Sequence, residues 1–179
     1  MNKIQHYRVL AIAPSIRGFG FAVIEGRDTL VDWGVKTVQG NKNANSLRKV
    51  EELIAHYQPG VLVLQDTENS RRSARIKALS RKIIAMAATR NVSVKLFSQE
   101  QVRRTFFDDG KGTKHAVAEI LAKRFPEELA SRLPPKRKPW MSEDYRMNIF
   151  DAVALALVFW PKQVKRSKRH AEHLYSMKS

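Results

Sequence analysis

Cysteine is absent from the 179 residues, so disulfides, thiolate zinc sites, iron–sulfur clusters and cysteine nucleophiles are all excluded. Any metal here must be held by oxygen or imidazole. No apolar run approaches the ~20 residues that a bilayer-spanning helix needs, and Met1 to Arg8 is too polar for the apolar core of a signal peptide. The chain therefore reads as soluble and cytoplasmic. Acidic residues are scarce, 17 against 33 Lys plus Arg, which leaves a net charge of +16. A field of that sign and size favours polyanions and suits an enzyme of neutral small molecules poorly. Internal repeats and low-complexity segments are missing too, and the five histidines have no spacing suited to zinc. His56 and His115 fall on predicted helices as polar surface.

What is present is a core. With 43% hydrophobic residues, the length suits about one domain. Arg8 to Ala13, Gly18 to Ile24 and Leu30 to Val38 read as three consecutive antiparallel strands, and Val61 to Leu64 as a strand buried on both faces. Helical spacing predicts a helix over Ser46–Tyr57, capped by Ser46 and stopped by Pro59-Gly60, and another over Ser73–Arg90. Val92 to Phe97 follows as a strand. Gln99 to Phe107 is a short helix, Thr113 caps a helix reaching about Phe125, and a last helix runs from about Ser142 to Trp160. The order predicts an α/β domain with a mixed five-stranded sheet and helices on both faces. Its expected extent is residues 1–161, with 162–179 a basic, flexible tail.

In open α/β sheets, sites collect at the carboxyl ends of central strands. The first strand delivers Ala13-Pro14-Ser15-Ile16-Arg17-Gly18-Phe19-Gly20, whose glycines let a phosphate or a backbone come close. The fourth delivers Gln65-Asp66-Thr67-Glu68. On the last helix Asp144, Asn148 and Asp151 fall at i, i+4 and i+7, one face by periodicity. Asp151 opens an apolar run, where a carboxylate is costly unless it is paired or holds a cation.

The succession P-S-I-R-G-F-G-F-A, V-L-V-L-Q-D, G-K-G-T-K-H-A-V and D-A-V-A-L-A, in this order and spacing, resembles the RuvC-type Holliday junction resolvases of the RNase H-like superfamily. The resemblance covers about residues 8 to 160. It implies an RNase H-like fold, a homodimer and a site for Mg²⁺ or Mn²⁺ built from four metal-binding side chains. Two such ions activate the attacking water and stabilise the leaving oxygen. Carried over position by position, those ligands fall on Ala13, Gln65, Asn148 and Asp151, of which Asp151 alone is a carboxylate. Amides are weak ligands for hard divalent cations, so the expectation is a depleted site, no resident cofactor and impaired or absent cleavage. The alternative is an active Mg²⁺- or Mn²⁺-dependent endonuclease in which Asp66 and Asp144 join Asp151 as substitute ligands. Strand alternation speaks against Asp66, which should face away from Gln65.

Cations surround the expected site. Arg17, Arg71, Arg72, Arg75 and Lys77 follow the two strand ends, Lys111 and Lys114 flank Gly112, and Lys136, Arg137, Lys138 and Trp140 form a second basic stretch. A third lies in Lys162, Lys165, Arg166, Lys168 and Arg169. Together they predict sequence-independent contacts to a phosphate backbone, of branched or duplex DNA first, with RNA left open. Phe19, Phe21, Trp33, Phe106 and Phe107 are read as core. Two further readings remain at this point: a nucleotide phosphate held by the Gly-rich turn, and a scaffold that meets a protein partner.

Overall fold

The computed structural model describes residues 7–160. Expectations for the basic tail lie outside them. Strands β1 (Arg8–Ser15), β2 (Gly18–Glu25) and β3 (Thr29–Thr37) form an antiparallel meander, and α1 (Lys42–Tyr57) leads to β4 (Val61–Gln65). Helix α2 (Ala74–Thr89) connects to β5 (Ser93–Phe97), after which come α3 (Gln99–Phe106), α4 (Lys114–Arg124) and the single turn α5 (Pro126–Leu129). A 3₁₀ turn, Ala130–Arg132, precedes an irregular stretch, and α6 occupies residues 147–160. The five strands lie in the order β3-β2-β1-β4-β5, with β1, β4 and β5 parallel.

Alternation along the central strands divides the core in two. Leu10, Ile12, Leu62 and Leu64 pack under α1 and α2 against Val50, Leu53, Leu79 and Ile83. Val9, Ala11, Ala13, Val61 and Val63 face the other way, onto Val117 and Leu121 of α4 and Phe150, Val153 and Leu157 of α6. Every residue of the Val61–Leu64 run is fully buried, as a strand covered on both faces requires. Helices on both faces of a mixed sheet is the RNase H-like arrangement expected from the sequence.

Two helix starts differ from expectation. Helix α1 begins four residues before Ser46, with Asn41 as its cap accepting from the Ala44 amide at 3.1 Å. Ser46 is instead fully buried within the helix. Asn41 to Asn45 carries little apolar periodicity, so spacing alone started the helix too late. At the other end, α6 starts at 147 rather than 142, because Asp144 closes a turn beforehand: its carboxylate accepts from the Arg146 amide and its carbonyl from that of Met147.

The glycines of the β1–β2 segment serve this packing. Gly18 has φ +150° and lies so close to β3 that a Cβ there would stand 1.9 Å from the Lys36 carbonyl oxygen. A Cβ on Gly20 would stand 2.0 Å from the carbonyl oxygen of Asn148. The space opened by these glycines is filled by the protein's own backbone, which leaves no room at either for a nucleotide phosphate.

Candidate functional site

The four positions singled out by sequence converge at the carboxyl end of β1 and β4. Ala13 pairs with Gly20 and faces α6, and Asn148 at the start of α6 lies directly on Gly20. Beyond the Ile12–Leu64 pair, Gln65 stands beside Ala13 on the same face as Val61 and Val63. One turn further along α6, Asp151 lines a small cavity together with Gln65, Lys114, Arg103 and Gly112. At about 70 Å³ it is room for a few waters.

Lys114, Asp151 and Gln65 are each held by a partner from another segment of the chain. The Lys114 ammonium donates to Asp151 Oδ2 at 3.0 Å and to Glu143 Oε1 at 2.9 Å. Arg72 Nη2 donates to Gln65 Oε1 at 3.4 Å, a long hydrogen bond. Burial pushes the Asp151 carboxyl up from its ordinary value, opposed by the Lys114 charge and more weakly by Arg72. Burial alone would pull Lys114 down, but Asp151 and Glu143 together outweigh it and hold its ammonium above the usual lysine value. Lys114, Arg72, Asp151 and Glu143 sum to a formal charge of zero, and Arg103 on the cavity wall adds one positive charge. The Asp151 side chain retains 23% exposure and Lys114 36%, so the pair sits at the floor of an open cleft.

Asp66 and Asp144 do not join this group. The Asp66 amide still bonds the Phe97 carbonyl, so strand alternation runs on one residue past Gln65 and turns Asp66 to the α1–α2 face. Its Oδ1 accepts from the Glu68 amide at 3.2 Å. Asp144 precedes α6 and is clasped by Arg146 through two hydrogen bonds of 3.0 and 2.7 Å, which hold its carboxyl below the usual range despite partial burial. Among the described residues, no three of His, Asp and Glu gather as a metal ion would require.

The cations fall into two sets. Arg75 and Lys77 are tied inward: Arg75 donates to the Ser15 and Ile16 carbonyls and to Asn43, bracing the β1–β2 turn, and Lys77 donates to the Glu68 carbonyl. Arg17, Arg71, Lys111, Lys136, Arg137 and Lys138 are exposed. Trp140 is 78% exposed, with the Lys138 ammonium 5.4 Å from its ring centre. Beside it a second cavity of about 510 Å³ is lined by His115, Pro134, Lys136, Arg137, Met141 and Glu143 among others. Phe106, Phe107 and Trp33 pack against the α4–α6 core, Phe107 with its ring on Gly112. Sequence reasoning had Lys114 as a phosphate contact and passed over Glu143, which sits in irregular chain where no periodicity places it. The Arg72–Gln65 contact was equally hidden.

Comparison with known proteins agrees with the fold. No family model matches the chain. It is 25% identical over 124 residues, 64% of this chain and 79% of the relative, to the crossover junction endodeoxyribonuclease RuvC of Prochlorococcus marinus (strain MIT 9312). The Thermus thermophilus RuvC structure superposes with a TM-score of 0.63 at 17% identity, covering 84% of this chain and 92% of that one. T. thermophilus RuvC in complex with Holliday junction substrate gives 0.63 at 19% identity, with 86% and 92% covered. Among the described residues no helix is long and apolar enough to cross a membrane.

Proposed function

Because the chain has the fold of the RuvC-type resolvases and resembles them in sequence, we propose that it binds branched or duplex DNA through phosphate contacts while its strand-cleaving chemistry is impaired or lost. The observation that carries this reading is Asp151, the one carboxylate at the four ligand positions, engaged by the Lys114 ammonium at 3.0 Å. Magnesium needs hard oxygen ligands, carboxylates first, in a near-octahedral array. Ala13 has no donor atom, Gln65 and Asn148 offer neutral amides, and the replacement carboxylates Asp66 and Asp144 hold Glu68 and Arg146 instead. These residues do not fit a two-metal centre.

Binding is supported by charge. The exposed cations Arg17 and Arg71 follow β1 and β4, Lys111 precedes α4, Lys136 and Arg137 line the second cavity beside Lys114, and the chain's net charge is +16. The working form we propose is a homodimer, so that two clefts meet two strands of a junction; light scattering of the purified chain at micromolar concentration checks this. The test of function is a titration of a labelled four-way DNA junction and a matched linear duplex across a salt series. The expected result is tighter binding of the junction, with log affinity falling linearly as log salt rises. Absence of binding to both at low salt overturns the reading and directs attention to a protein partner.

A further inference from the structure

Resting on the reading that the ligand positions do not suit a divalent ion, we propose that Lys114 is the cation of this site, a side-chain ammonium that bridges Asp151 and Glu143 where resolvases of this type place metal. Three observations carry it. First, the two carboxylates come from different segments, one on α6 and one in the irregular chain before it, and converge on a single Nζ at 3.0 and 2.9 Å. The fold brings these acids to one lysine across 29 and 37 residues of sequence. Second, Lys114 is the first residue of α4, which has no acidic residue in its first turn. A cation at a helix N-terminus opposes the helix dipole, so the placement is supported by the carboxylates and by little within α4. Third, the cavity that the ammonium faces is also lined by Gln65 and Arg103, and Arg72 donates to the Gln65 side chain.

An ammonium has three N–H donors. Two serve the carboxylates, and the third is directed by elimination to a phosphodiester oxygen entering the cleft. A single charge without open coordination positions neither activates water nor stabilises a leaving alkoxide as a metal pair does. With Arg72 it balances the two acids, so that a phosphate approaches a floor without net negative charge. Nucleic-acid binding at this cleft then needs no divalent ion.

The test follows free Mn²⁺ by electron paramagnetic resonance as the full-length chain is added, without nucleic acid, for the natural protein, Lys114→Met and Lys114→Arg. The natural protein and Lys114→Arg are expected to bind no Mn²⁺ up to millimolar concentration, and Lys114→Met to bind at least tenfold more tightly through the freed acids. In parallel, the natural protein's affinity for a four-way junction is compared in EDTA and in Mg²⁺ at matched ionic strength, where a ratio within twofold is expected. Submillimolar Mn²⁺ binding by the natural protein, a divalent requirement for junction binding, or a folded Lys114→Met as blind to Mn²⁺ as its parent overturns the proposal. Should Lys114→Met fail to fold, the natural protein and Lys114→Arg still decide it. Failure to bind any junction would sink the proposed function while the Mn²⁺ titration still reads the ammonium.

Discussion

At its first turn α6 lies on the backbone of β2, Asn148 against Gly20, whereas one turn later Asp151 reaches across the cleft to a lysine from α4. The first contact is steric and tolerates almost no change at the sheet, since a single added carbon would meet a carbonyl oxygen at 2.0 Å. The second is electrostatic, partly open to water, and is satisfied by any arrangement that balances the charge. A fold held by contacts of the first kind can keep its shape while the chemistry at positions of the second kind is replaced. That is why a sheet and helix set superposing on RuvC structures coexists with Ala13 and Gln65 at the strand ends.

The sharpest way to break the comparison is at the glycine. Gly20→Val should displace α6 and cost at least about 3 kcal/mol, or prevent folding, by overpacking against rigid backbone; urea unfolding checks it. Lys114→Met comes next. Removing one partner of a fully buried pair costs about 3–5 kcal/mol, and the exposure of this pair reduces that to about 1–2 kcal/mol. Asp151→Asn should cost less, within about 1 kcal/mol, because Glu143 still partners the ammonium and the burial of a charge is relieved. Equal losses from the two would mean that the lysine is not the hub.

Trp140 offers a contrast in the opposite sense. Exposed as it is, Trp140→Ala should leave stability within ±0.5 kcal/mol, yet weaken nucleic-acid binding by about 1 kcal/mol if its ring stacks on a base. Paired unfolding and gel-shift measurements separate the two effects. A further effect, confined to alkaline pH, belongs to the frame at the far side of the sheet. Tyr57 of α1 donates to the Asp32 carboxylate on β3, and burial followed by that hydrogen bond raises its pKa to about 12. The folded state holds this proton more tightly than the unfolded chain, so the contribution is full below pH 10.0 and is lost as pH rises through about 12. Ultraviolet titration should reveal a late phenol that is absent in Tyr57→Phe, the substitution costing about 1 kcal/mol of stability.

The sheet was readable because its signals are local. Val61 to Leu64 is an unbroken apolar run, and the central strand it predicts is buried on both faces. The Gly18-Phe19-Gly20 spacing told of a close approach, though the sequence could not say whether backbone or phosphate made it. Lys114 and Glu143 stood in the open as well, but 29 residues apart and on segments with no shared period. Their meeting depends on how α4 and the chain before α6 pack, which no local pattern encodes. Asp144 failed as a helical neighbour of Asp151 for a related reason: Arg146, two residues on, takes its carboxylate before the helix begins.

The central claim, a resolvase scaffold whose ligand positions no longer support cutting, is tested most directly on the DNA itself. A four-way junction labelled in turn on each strand would be incubated with saturating protein in Mg²⁺ and in Mn²⁺ and its strands resolved on a denaturing gel. The account predicts a bound junction with every strand intact. Symmetric nicks that appear with the natural protein and vanish in Asp151→Asn would contradict it.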